Sequence, residues 1–146
     1  WSSDVCSSDL GHWLARAGAE LAGEADIVTP VPLHWLRLAL RRYNQAALLA
    51  QALVATAGGT CIPDLLKRTR RTPSQGKLGR GERLKNVAGA FGVRPRHRDR
   101  VEGRRVLVVD DVLTTGATAR ACTKALLAAG ASAVDVVTLA RVIRAE

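Results

Sequence analysis

The spacing of apolar residues changes several times along the chain, and each change predicts an element. Trp13–Ala22 carries a weak helical pattern. Asp26–Pro32 (DIVTPVP) reads as a short strand running into a proline loop. From Asn44 onward, Ala46, Leu49, Ala50, Leu53, Val54 and Ala57 recur at helical spacing on one face, and Gly58-Gly59 closes that helix. Cys61–Leu66 reads as a second strand. Apolar character lapses over Lys67–Lys85, resumes over Val87–Val93 around Phe91, and lapses again over Arg94–Arg105. Val106–Val109 is four apolar residues, three of them β-branched, the mark of a buried parallel strand. Ala117–Ala129 is a helix of mostly small residues closed by Gly130, and Ala133–Ala140 is the last strand. No internal repeat is visible. Strands alternating with helices imply right-handed βαβ units: an α/β fold with a parallel twisted sheet flanked by helices.

Composition narrows the class. With 146 residues, 47% of them hydrophobic, the chain can build one α/β domain with a core of Ala, Val and Leu, since aromatic residues make up only 3%. No apolar run has the length of a membrane span. Cys6, Cys61 and Cys122 are scattered and contain no C-x-x-C pair, so neither a disulfide framework nor a zinc site is readable and a reducing cytoplasm is the expected compartment. His12, His34 and His97 form no metal triad. Trp1–Leu10 (WSSDVCSSDL) lacks periodicity, a basic n-region and an apolar h-region, so it is not a signal peptide. It is set apart as a non-native or artefactual leader, with residues 11–146 expected to form the domain.

Charge is unevenly placed. The net charge is +9, but residues 1–36 hold five acids and one arginine while residues 37–146 hold 21 bases and eight acids. Such asymmetry points to an anionic ligand or nucleic acid. Lys67–Lys85 alone holds eight bases, one acid, three glycines and a proline, the composition of a long, flexible basic loop.

The densest chemistry lies in Val106–Thr118 (VLVVDDVLTTGAT). The apolar strand ends in adjacent carboxylates, Asp110 and Asp111, and the turn Thr114-Thr115-Gly116-Ala117-Thr118 opens a helix whose first N–H groups form an anion site. Hydroxyl-binding carboxylates beside a phosphate cradle suit a sugar phosphate. An apolar run ending in Asp-Asp also occurs in response-regulator receivers, but there it lies near the N-terminus, and here only Asp135 follows it. A Walker B strand needs an upstream G-x-x-x-x-G-K-[ST], and the chain has none. The remaining alternative is an ordinary βα turn with solvated acids.

These thirteen positions resemble the phosphoribosyl-pyrophosphate (PRPP) signature of type I phosphoribosyltransferases. Further marks make the chain similar to the competence protein F (ComF) family of phosphoribosyltransferase-like proteins over about residues 11–142: Val31-Pro32-Leu33-His34-Trp35, Arg41-Arg42-Tyr43-Asn44-Gln45, Thr72 with Gln75, Arg83 with Asn86, and Thr138-Leu139-Ala140-Arg141. That family's usual N-terminal zinc-ribbon has no counterpart in these residues, so zinc binding is not carried over, and the chain is either a short member or one whose start was lost. The resemblance implies a type I phosphoribosyltransferase-like fold. It implies PRPP as ligand with Mg²⁺, no dedicated protein metal site beyond Asp110 and Asp111, and a nitrogenous base as acceptor. Asp110 and Asp111 would be the catalytic pair on the ribose hydroxyls, with Thr114, Thr115, Gly116, Ala117 and Thr118 around the 5-phosphate. Arg37, Arg41 and Arg42 would reach pyrophosphate from the turn after the first core strand, and Lys67, Arg68, Arg71, Lys77 and Arg83 from the loop that closes over the site. For each of these cations a solvated surface is an equal alternative, and for Asn44 helix capping is the simpler account. The competing function is a non-catalytic module of DNA uptake whose partner is single-stranded DNA or a competence helicase, although aromatics for base stacking are few. A weaker third is a regulator binding nucleotides or RNA. A homodimer and no membrane association complete the expectations.

Overall fold

The computed structural model of the chain describes residues 3–33, 44–70, 72 and 79–142. Four parallel strands form the main sheet: β1 (Ile27–Pro30), β2 (Thr60–Cys61), β5 (Arg105–Leu113) and β6 (Ala133–Arg141), in the order β2-β1-β5-β6. A separate antiparallel ribbon pairs β3 (Leu66–Arg68) with β4 (Phe91–Val93). The helices are α1 (Ser3–Glu24), α2 (Gln45–Ala57), α3 (Arg80–Val87), α4 (Arg98–Val101) and α5 (Ala117–Ala128). The expected α/β sheet flanked by helices is thus what the chain forms.

Strand alternation splits the core in two. On one face Ile27, Val106 and Val108 pack with Cys122 and Leu126 of α5 and with Leu66, Phe91 and Val93 of the ribbon. On the other, Val28, Leu107 and Val109 pack with Leu14 and Ala22 of α1 and with Leu49, Ala50 and Leu53 of α2. Burial on both faces explains why Val106–Val109 is uninterrupted by polar residues. Gly18 packs α1 against its neighbours: a Cβ there would stand in van der Waals contact with Leu53 Cδ1 at 3.4 Å and Val137 Cγ2 at 3.5 Å. Thr29, fully buried, donates its hydroxyl to the Ile62 carbonyl at 3.1 Å, which satisfies the one polar side chain of β1.

Several elements differ from their sequence readings. Helix α1 runs from Ser3, so the backbone is already helical within the segment set apart as a leader. The single strand expected over Cys61–Leu66 is two short ones, Thr60–Cys61 in the main sheet and Leu66–Arg68 in the ribbon. Strand β5 continues through Asp110 and Asp111 to Leu113, held by its pairing with β6. The ends of the basic Lys67–Lys85 segment are ordered: Lys67 and Arg68 lie in β3, and Arg80–Lys85 in α3. Arg70 holds that helix by donating to the carbonyls of Asn86 at 2.9 Å and Ala88 at 2.7 Å, groups a helix C-terminus leaves unpaired. The second basic connector folds into a short 3₁₀ turn, Pro95–His97, and α4; Arg96 and His97 both engage Asp64.

Connectivity fixes where a ligand can sit. The chain leaves β1 through α2 toward β2, and leaves β5 through α5 toward β6, in opposite directions along the sheet and on opposite faces. The β1/β5 boundary is therefore the switch point, where the two connections diverge and leave a crevice beyond the strand ends.

Candidate functional site

Strand β1 ends at Pro30, paired with Val109, while β5 continues past it. Asp110 and Asp111 are the first residues of that overhang. By strand alternation Asp110 belongs to the α5 side and Asp111 to the α2 side. Both nevertheless line one hollow of about 290 Å³ with Val31, Leu33, Asn44 and Gln45. The pair is ordered by its own backbone: Asp111 N–H donates to Asp110 Oδ1 at 2.9 Å and Val112 N–H to Asp111 Oδ1 at 2.8 Å. Asn44 shapes the opposite rim. Its Oδ1 accepts the Ala46 N–H at 3.1 Å, capping α2, and its Nδ2 donates to the Val31 carbonyl at 3.1 Å.

Burial, then the hydrogen bond and charge of Asp111, push the Asp110 carboxyl up to about 7. Arg68 opposes this. It stacks over the Phe91 ring at 5.0 Å, donates from Nε to the Pro32 carbonyl at 3.4 Å and from Nη1 to Thr72 Oγ1 at 2.6 Å. Its charge pulls Asp110 back down. Beneath lies Cys122, 0% exposed, whose thiol is pushed up to about 12 by burial and then by Asp110. A thiol so protonated is a packing group, not a nucleophile.

Three residues, Thr114–Gly116, carry the chain from β5 into α5. Gly116 takes φ 77°, ψ 7°, a left-handed conformation that side chains disfavour. The Thr115 hydroxyl accepts the Ala117 N–H at 3.4 Å, and Ala117 is the first residue of α5. A second hollow of about 700 Å³ opens beside the turn, bordered by Thr114, Thr115 and Gly116 and by Arg83, Arg120 and Arg141.

The sequence-derived candidates therefore separate. Asp110 and Asp111 line the first hollow and Thr114, Thr115 and Gly116 the second, with Ala117 and Thr118 opening α5. Arg68 reaches the site from a strand and Arg83 from a helix, where both were expected on a mobile loop. Lys67, opposite Gly92 in the ribbon, lines neither hollow. Arg37, Arg41, Arg42, Arg71 and Lys77 lie outside the described residues. Arg120 and Arg141 were not foreseen. Arg120 is four residues past Gly116, so helical spacing alone places it at the turn, whereas Arg141 depends on the β5–β6 register that sets it opposite Leu113. Among the described residues, no group of three or more His, Cys, Asp or Glu gathers to hold a metal, and no helix is long and apolar enough to cross a membrane.

Residues 43–146 match the phosphoribosyl transferase domain. The chain is 35% identical over 116 residues to competence protein F of Haemophilus influenzae (80% of this chain, 50% of that protein). It is 38% identical over 119 residues to the DNA utilization protein YhgH of Escherichia coli K12 (81% and 50%). It thus spans about half the length of these curated relatives. Among solved structures it is similar to the glutamine PRPP amidotransferase of Bacillus subtilis (TM-score 0.60, 27% identity, 91% of this chain and 26% of that one). A Thermus thermophilus protein shares the fold at TM-score 0.55 and 19% identity (96% and 85%). An acid pair where β5 overhangs β1, a left-handed glycine turn after it and this match over most of the chain lead to one conclusion: the chain belongs to the phosphoribosyl transferase domain family, among the relatives of competence protein F.

Proposed function

We propose that the chain binds PRPP with Mg²⁺ and transfers its ribose 5-phosphate to a nitrogen acceptor, releasing pyrophosphate. The carrying observation is that Asp110 and Asp111, on the overhang of β5 at the switch point, are followed after two residues by the Gly116 turn, so that two carboxylates in one hollow precede an anion cradle beside a second. Asp110 and Asp111 accept from the ribose hydroxyls, and residues 114–118 hold the phosphate. The hollow toward Val31 and Asn44 is where the pyrophosphate and the acceptor would meet, and Arg68, tied to the Pro32 carbonyl, places positive charge next to it. In the reaction the bond from ribose C1 to the pyrophosphate oxygen breaks, the acceptor nitrogen forms the new bond to C1, and pyrophosphate leaves with the electron pair. The protein contributes positioning and charge stabilisation.

Two carboxylates open to one hollow are hard oxygen donors suited to Mg²⁺. Bound there, the ion would neutralise charge on the pyrophosphate.

Titration of Mg²⁺·PRPP by calorimetry tests this reading. Micromolar binding to the wild type, lost in Asp110→Asn/Asp111→Asn, supports it; a folded wild type that does not bind sinks it. A second reading, non-catalytic service in DNA handling, draws on the names of the relatives and on the net charge of +9. It predicts salt-dependent DNA binding that survives the same double substitution.

A further inference from the structure

The hollow beside the 114–116 turn gathers more positive charge than one phosphate monoester calls for. Arg83, Arg120 and Arg141 all border it, and none of its described lining residues is an acid. Arg83 is only 7% exposed and fixed on α3, so one guanidinium is built into the wall. Arg120 and Arg141 are exposed, and among the described residues neither is paired with a carboxylate. Arg120 stands in the first turn of α5, which holds no acid. A helix dipole favours anions at that end and disfavours a cation. Arg120 and Arg141, two like charges at one cavity with one of them opposed to a helix dipole, form an arrangement that an anion of high charge density would relieve. The turn itself is suited to a single phosphoryl group. The hollow continues past it to Arg141 and Val142 at the end of β6, so whatever is joined to that phosphate meets guanidinium groups.

We propose that this hollow is a subsite for a second phosphoryl group, and that the chain binds nucleoside 5′-diphosphates in preference to the 5′-monophosphates. The proposal rests on reading Asp110–Thr118 as a ribose-phosphate site. The diphosphate then occupies the same ribose and 5-phosphate positions as PRPP, with its terminal phosphate between Arg120 and Arg141, and competes with PRPP for the protein.

The test is calorimetric titration of uridine 5′-diphosphate and uridine 5′-monophosphate in EDTA, so that no metal shields the phosphates. The wild type should bind the diphosphate about tenfold more tightly, the effect of one added charge-assisted pair. In Arg120→Gln/Arg141→Gln the ratio should fall to within about twofold. A control of equal charge loss at the amino end of the sheet, Arg98→Gln/Arg100→Gln on α4, should keep the wild-type ratio. Equal affinities in the wild type, no binding of the diphosphate, or an equal drop in the control each overturn the subsite. The PRPP titration separates the two readings. Diphosphate preference without PRPP binding keeps the subsite and removes the transferase; PRPP binding without preference does the reverse.

Discussion

Asp110 carries opposite demands. In the folded chain its carboxyl is pushed up to about 7, mainly by burial, whereas in an unfolded chain it titrates near about 4. The folded state therefore holds the proton more tightly. The stability this contributes is complete below about pH 4 and is lost as pH rises through about 7. Above that, the buried carboxylate is a cost that Asp110→Asn removes. The variant should melt a few degrees above the wild type at pH 8, with the gap closing by pH 4, as read by thermal scans. Ligand binding runs the other way, because the ionised carboxyl accepts more strongly from a hydroxyl and carries the charge that attracts Mg²⁺. Affinity for Mg²⁺·PRPP should rise between pH 6 and 8, and calorimetry across that range should find the Asp110-linked part of the slope missing in Asp110→Asn. A site that weakens its own fold at working pH is the usual balance between stability and activity.

Among the elements, α2 and β5 do most to hold the site open. Asn44 both caps α2 and grips the Val31 carbonyl, so Asn44→Ala should cost about 1 kcal/mol or more in urea unfolding and should loosen the rim facing Asp111. This cap was legible, because Asn precedes a clean helical period. So were β1, α5 and the acid pair, each marked by local residue type. The β3–β4 ribbon was not. Its strands are three residues each and depend on pairing across more than twenty positions, and the first of them runs into Lys67, Arg68 and the arginines that follow, which read as solvated. The same composition concealed α3, whose order comes from Arg70 on its last carbonyls and Val87 in the core, together with a local cap in which Glu82 accepts the Gly79 N–H at 3.0 Å. Arg83 was found as a charge and misplaced as a loop residue for this reason.

At the level of the whole molecule, β5 divides two cores and supplies both of them. Leu107 is fully buried against α1 and α2 while its neighbours Val106 and Val108 serve the other face. Leu107→Ala should therefore cost about 2–5 kcal/mol, seen as a lower urea midpoint with unchanged slope. The same strand sets how a ligand arrives. Past Val109 it has β6 along one flank and, among the described residues, no strand along the other. A ledge of this kind admits a ring from one side. With Asp110 and Asp111 on opposite sides of the strand and the turn a few residues on, a sugar phosphate seated as proposed would be held at three points that do not lie on a line. Three such points distinguish a molecule from its mirror image, so the overhang of one strand beyond another would then make this surface a reader of handedness, blind to a sugar whose hydroxyls are inverted.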